Sequence, residues 1–206
     1  MNIEDTITGR RSVRKFIDEP VPDEIIMKLI SMAINAPSPG NQQNWRFIVI
    51  KGSKLKQQMA TLVKEEIYKF ISIAAVNNDD LHAPTRFATW FEEAPVVLAV
   101  TTEVYRSKLD QILLAAGFTD SEVDDLRCRP DLQAIGAAVQ NILLAAYALD
   151  YGTCWLTGPL IARPELEKFL DIRHPRSLAA LIALGRPRAN PPQPKRKPVE
   201  DYVTFI

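Results

Sequence analysis

The sequence predicts a single domain that mixes helices with strands, and three observations carry that expectation. Four short apolar runs, residues 47–50, 96–100, 153–157 and 178–184, have the length and side-chain content of strands. Between them, longer segments repeat apolar side chains at three- and four-residue spacing, as amphipathic helices do. One segment, 134–149, is apolar nearly throughout, with Gln140, Asn141 and Tyr147 as its only polar side chains. At 16 residues it is shorter than the roughly 20 that span a bilayer, so it reads as a buried central helix. A chain of 206 residues can bury a sizeable core in one domain, and neither an internal repeat nor a shift of composition marks a boundary.

Taken in order, residues 3–9 predict a short helix ended by Gly9, which delivers a basic stretch at the start of a loop. Pro22 suits a first helical position, Asp23 and Glu24 complement the positive helix end, and Ile25, Ile26, Leu29, Ile30, Ala33 and Ile34 form one apolar stripe. Residues 36–41 hold two prolines and a glycine and must break that helix. The unbroken run 47–50 predicts a strand buried on both faces. A long helix starts at Gly52-Ser53, with Leu55, Met59, Leu62, Val63, Ile67 and Phe70 on its inner side. Residues 77–93 mix turn formers with Phe87, Trp90 and Phe91, and aromatic content favours a packed segment over a mobile lid.

Ala94-Pro95 introduces the second strand, and residues 103–128 read as an irregular or helical excursion anchored by Leu109, Ile112, Leu113 and Leu114. Within the central helix, Gly136, Ala137, Ala138, Ala145 and Ala146 allow another backbone, including that of a partner subunit, to approach closely. Gly158-Pro159 is a turn after the third strand, and Pro164-Glu165 begins a short helix to about Leu170 before the fourth. Residues 185–198 carry five prolines and predict extended chain, while 199–206 end in Tyr202, Val203, Phe205 and Ile206 as a strand or anchor that needs a place to dock.

Lysine plus arginine equals aspartate plus glutamate at 25 each, which removes the general electrostatic case for nucleic-acid or membrane binding. Basic clusters are therefore read as sites. Gly9-Arg10-Arg11-Ser12-Val13-Arg14-Lys15-Phe16 crowds four cations and a hydroxyl together. A solvated basic turn is one reading; a monophosphate site is the other, because the guanidinium fork matches phosphate oxygens in pairs. Cys128 and Cys154, without CxxC spacing, read as small buried apolar residues of a reducing, cytoplasmic compartment, and residues 2–5 carry no signal-peptide pattern. His82 and His174 each have at most one local carboxylate, Asp79 or Asp171, so no metal site is expected. Glu92-Glu93 and Asp124-Asp125 read as solvated surface, and no nucleophile elbow, Walker loop or GxGxxG occurs. An enzyme of this composition would take its chemistry from an organic cofactor.

Three separated segments together resemble the FMN-dependent nitroreductase family. They are Gly9-Arg10-Arg11-Ser12-Val13-Arg14, the loop Ala36-Pro37-Ser38-Pro39-Gly40-Asn41-Gln42-Gln43-Asn44-Trp45-Arg46-Phe47, and Tyr151-Gly152-Thr153-Cys154-Trp155-Leu156-Thr157-Gly158-Pro159. Pro194-Lys195-Arg196-Lys197-Pro198 is similar to that family's C-terminal basic motif, and the order and spacing hold over nearly the whole chain. The resemblance implies an α+β, three-layer fold with a mainly antiparallel sheet between helices, residues 1–206 as one FMN-binding domain, and an intertwined homodimer. It implies FMN at the dimer interface and residues 186–206 as an arm reaching the partner.

By the same resemblance Arg10, Arg11, Ser12, Arg14 and Arg196 grip the FMN phosphate, and Pro37, Ser38 and Pro39 lie against the ring from the second subunit. Asn41 and Gln43 bond the flavin edge or ribityl chain, Thr157 and Gly158 approach N5 and O4, and Trp45 belongs to the core. The implied reaction is ping-pong transfer of hydride from NAD(P)H through flavin N5 to nitroaromatic, quinone or similar electron-poor acceptors. No protein residue is assigned as a catalytic acid. Alternatives are a flavin-destructase, dehalogenase or ene-reductase branch of the fold, or a flavin-binding protein without activity. Two positions depart from the pattern: Asn44 stands where the family has proline, and Thr157 where some members have glutamate.

Overall fold

The structure, a computed structural model, describes residues 2–74 and 82–206, so residues 77–81 of the expected 77–93 segment lie outside it. The first strand, β1 (Arg46–Ile50), pairs with β2 (Val96–Glu103), and β3 (Gly152–Leu156) with β4 (Arg176–Gly185). Pairing of β2 with β4 completes one antiparallel sheet in the order β1-β2-β4-β3. Side chains alternate across it. Val96, Leu98 and Val100 of β2 and Ala180, Ile182 and Leu184 of β4 join one core; Val97, Ala99, Leu181 and Ala183 join the other. Both faces are therefore covered, and the two central strands read as continuous apolar runs for that reason.

Helix α1 (Ile3–Gly9) is capped by Asn2, whose Oδ1 accepts from the Asp5 N–H at 2.8 Å. With α2 (Asp23–Ala33) and α7 (Pro130–Ala148) it makes the first layer. On α2 the stripe buries Ile26, Leu29 and Ala33, but Pro22 is the residue before the first turn rather than within it, and Ile34 lies past the last turn and is exposed. The α7 helix buries Ile135, Val139, Ile142 and Leu143 against the sheet, as a nearly all-apolar helix should.

The second layer is α3 (Ser53–Ala74), α4 (His82–Thr89), a 3-10 turn (Trp90–Glu93) and α8 (Arg163–Phe169). Met59, Val63 and Ile67 bury as expected; Leu55 and Phe70 do not, because the neighbouring elements cover a narrower stripe. Lys56 is buried instead, its ammonium bonded to the carbonyls of Ala94 and Pro95 at the entry to β2. Phe91 is fully buried and Trp90 partly so, the packed arrangement expected there, whereas Phe87 stays exposed.

Four further expectations are corrected. The β1 strand is an edge strand with Val49 exposed, since nothing among the described residues covers its outer side. Residues 103–128 hold α5 (Lys108–Ala115) and α6 (Asp120–Arg127), but Leu109 and Ile112 face outward while Asp110 and Val123 are buried. Both helices open with capping boxes, and the one at Ser107 turns Asp110 inward toward Arg127, 2.9 Å away. Cys128 is exposed, at the left-handed end of α6 (φ 53°). Residues 199–206 form a 3-10 turn (Val199–Tyr202) and an exposed end rather than a strand, with Phe205 95% exposed among the described residues. Among the described residues no helix is long and apolar enough to cross a membrane.

The excursion supplies an acid-titration test. Burial would raise the Asp110 carboxyl, yet the Ser107 N–H and hydroxyl and the Arg127 guanidinium outweigh it and hold it below the ordinary range. A carboxylate depressed in the fold stabilises above its unfolded pKa of ~3.9 and loses that contribution as pH falls through the lower folded value. Asp110→Asn should therefore lower Tm at neutral pH, and the gap should narrow as pH falls below that range. A gap constant through the acid limb would show that the depressed carboxyl does not contribute.

Candidate functional site

The basic loop is positioned by β3. Arg10 closes α1, its N–H bonded to the Thr6 carbonyl at 3.1 Å, and the chain then runs beside β3 with Ser12 paired in parallel with Thr153. The Val13 N–H donates to the Thr153 carbonyl at 2.9 Å and its side chain buries over Gly152. A Cβ at Gly152 would stand 2.7 Å from Val13 Cβ and Cγ2, so the close approach requires glycine. Farther on, the Ile17 N–H bonds the Arg186 carbonyl and the Arg188 N–H the Lys15 carbonyl, both at 3.0 Å. These two bonds draw the proline-rich tail back across the loop.

The result is a cavity of about 410 Å³ lined by Arg10, Arg11, Ser12, Arg14 and Arg196 together with Pro191, Pro192 and Pro194. Among the described residues no acidic side chain lines it. Burial, then the nearby Arg196 and Arg11, push the Arg10 guanidinium below its usual pKa, and its buried Nε has no partner. Arg11 turns back onto the Thr8 and Arg10 carbonyls, at 2.6 and 2.7 Å, and Arg14 lies 5.4 Å over the ring of Phe87. Like charges held together with an unmet buried donor are suited to a doubly charged oxyanion such as a phosphate monoester. Cys154 lies behind the cluster; burial raises its thiol, against the smaller pull of Arg14, Ser12 and Arg10, so it remains a protonated core side chain.

The other sequence-marked residues lie apart from this cavity. Thr157 and Gly158 are exposed at the end of β3, opening a 3-10 turn (Gly158–Ala162) in which the Leu160 N–H bonds the Thr157 carbonyl at 3.0 Å. Gly158 faces Ala88: a Cβ there would meet the Ala88 Cα at 3.7 Å. Helix α4 thus touches both places, Phe87 at Arg14 and Ala88 at Gly158. Sequence reading left Phe87 as a packing aromatic, and no local pattern could have linked it to an arginine on another element.

Pro37, Ser38, Pro39, Asn41 and Gln43 form a third group, which does not line the arginine cavity. The loop passes through a 3-10 turn (Pro39–Asn41), with Gly40, Asn41 and Gln43 at φ 57°, 52° and 49°. The Ser38 hydroxyl accepts from the Gln43 N–H at 3.1 Å, and the Gln43 amide reaches Asn41 Oδ1 at 3.4 Å. Pro37, Asn41 and Gln43 are exposed, whereas Asn44 and Trp45 are buried. One chain therefore presents an arginine-lined cavity and two exposed loops rather than one closed pocket.

Comparison with known proteins gives a consistent relationship. A model of the nitroreductase family matches residues 7–186. A BluB-like flavoprotein from Clostridium difficile 630 shares 35% identity and superposes with a TM-score of 0.89, covering 100% of this chain and 99% of that one. YfhC of Bacillus subtilis (strain 168), provisionally named an NAD(P)H nitroreductase, is 26% identical over 98% of this chain and 93% of its own. A provisionally assigned nitroreductase from Desulfovibrio desulfuricans, solved in complex with FMN, is 27% identical with a TM-score of 0.67, covering 100% of this chain and 98% of its own.

Proposed function

The chain belongs to the nitroreductase family, and on that premise we propose that it is an FMN-dependent oxidoreductase using NADH or NADPH to reduce nitroaromatic, quinone or similar electron-poor acceptors. The observation that carries the reading is the gathering of Arg10, Arg11, Ser12, Arg14 and Arg196 around one cavity that no acidic side chain of the described residues lines. The FMN-bound relative supports the choice of cofactor, and the name of the Bacillus relative supports the donor.

In this reading the five cavity residues hold the FMN phosphate. When bound, FMN would supply the redox chemistry, hydride transfer between NAD(P)H and the acceptor by a ping-pong scheme. The Thr157-Gly158 backbone polarises the ring near N5 and O4. Pro37, Ser38 and Pro39 cover the ring from a second subunit, and Asn41 and Gln43 bond its edge or the ribityl chain. A homodimer follows, with residues 1–206 as one domain and 186–206 as the arm to the partner, a reading supported by the exposed apolar side chains of Tyr202, Phe205 and Ile206. With Thr157 where some members have glutamate, this position brings no charge to the N5 end; the protein's groups position and polarise, and water would supply protons.

Colour provides the test. The purified protein should be yellow, bleach with NADH or NADPH under anaerobic conditions, and regain colour with a nitroaromatic or quinone. A protein that stays colourless after FMN addition would remove the flavin reading. Bleaching without reoxidation by either acceptor class would remove the acceptor assignment and leave the flavoenzyme.

A further inference from the structure

We propose that Asn44 is the positioning residue of the loop 37–43, bolting it to the end of β2 so that the loop and the α5–α6 excursion are held as one unit. The proposal rests on the functional reading above for the loop's target, the flavin ring of a neighbouring subunit.

Asn44 is 7% exposed although the residues before it are largely solvated. Its Nδ2 donates to the Glu103 carbonyl at 2.5 Å and to the Thr102 hydroxyl at 3.3 Å. Arg176, in an ion pair with Glu103, donates in turn to the Asn44 carbonyl at 3.4 Å. Side chain and main chain of one residue are thus fastened to the last residues of β2 and the first of β4, at the end of the β2–β4 ladder that carries an irregularity in register at Val100/Thr101.

The loop needs such a fastening. Asn41 and Gln43 hold left-handed backbone, φ 52° and 49°, which asparagine adopts readily but glutamine keeps only when its surroundings enforce it. The turn itself is closed by the Asn41 and Gln42 N–H groups on the Ser38 and Pro39 carbonyls at 2.9 and 3.2 Å, whereas Gln43 is tied to it through the Ser38 hydroxyl at 3.1 Å and a long 3.4 Å contact with Asn41 Oδ1. Asn44 follows Gln43 directly and supplies the rigid end.

The amide is retained at a cost. Its Oδ1 is buried without a partner, a penalty that the family's proline at this position would avoid. An amide whose acceptor half is unmet is explained by what its donor half holds. Glu103, the residue it holds, is where the excursion leaves β2, and Tyr105 just beyond it packs on the loop: a Cβ on Gly40 would stand 3.4 Å from the Tyr105 Oη. Displacement of α5 and α6 is thereby transmitted to residues 40–43.

Two variants test this. Asn44→Leu keeps the volume and removes both donated bonds; Asn44→Asp keeps the shape and turns the donor into an acceptor until it is protonated. In flavin-free protein, amide exchange at 40–43 should quicken by about tenfold in both, the scale of one lost buried hydrogen bond. It should recover in acid for Asn44→Asp only, where the protonated carboxyl can donate to the Glu103 carbonyl. In titrations, FMN and riboflavin should both weaken by about tenfold, with an altered visible circular dichroism of the bound flavin. Unchanged exchange at 40–43 in both variants overturns the proposal, whatever Tm does. Quickened exchange with unaltered flavin affinity and dichroism overturns the role at the flavin. If the wild type binds no flavin, the functional reading fails, and the exchange measurements still decide whether Asn44 holds the loop.

Discussion

Arg14→Ala and Arg196→Ala are each expected to weaken FMN binding by about tenfold, and the double variant by more, while leaving the fold intact. A charge-assisted hydrogen bond contributes about 1.5–3 kcal/mol, and the exposure of both side chains in the flavin-free chain places the effect toward the lower end. The stability prediction has the opposite sign. Burial first, and then the like charge of Arg196, lower the Arg10 guanidinium from its usual pKa, so without a bound anion the two cations repel one another. Removing Arg196 should leave Tm of the flavin-free protein unchanged or raise it, and should reduce the gain in Tm on adding FMN. Riboflavin, which has no phosphate, should bind both variants as it binds the wild type, and added salt should narrow the difference for FMN. Wild-type FMN affinity in both single variants would remove these residues from the phosphate site.

Gly152→Ala should cost both stability and cofactor. The new methyl would lie 2.7 Å from Val13 Cβ and Cγ2 and 2.8 Å from Cγ1, distances that force a buried side chain or the loop bearing it to move. Overpacking of this kind typically costs about 1–3 kcal/mol. Ser12 and Arg14 flank Val13, so relief by shifting the loop displaces the proposed phosphate donors, and FMN affinity should fall by about tenfold or more. Denaturation midpoints and FMN titration measure the two effects separately. Val13→Ala in the same chain removes both Cγ contacts and should recover part of each. Full affinity and stability in Gly152→Ala would mean that the Val13–Gly152 approach does not set the loop.

Much of the element inventory was legible because its causes are local. The Ala36–Asn41 breaker, the Ser53 start of α3 and the long apolar α7 follow from turn chemistry and periodicity within a few residues. What faced inward was less legible. Leu109 and Ile112 looked like anchors, yet a capping box turned Asp110 inward and left them outside. The 47–50 run looked buried on both faces, but apolar content does not say which strand ends a sheet and is left partly uncovered. Cys128 looked like a core residue, and a left-handed turn between two helices put it in solvent.

The basic loop shows where the two sources of information divide. Composition and local charge specified that residues 10–14 require an anion or full solvation, and the matching motifs specified the family. The resemblance joined Arg196 to residues 10–14, but neither source could specify the bonds that draw the tail there, that Arg14 rests on Phe87, or that Asn44 is tied to Glu103. Those contacts join positions tens to nearly two hundred residues apart, and they exist because strand pairing and the tail's bonds to residues 15 and 17 bring distant segments into register. Local propensity acts over a turn or a strand; the cavity's charge balance and the loop's anchoring arise from side chains that meet only after the sheet has closed.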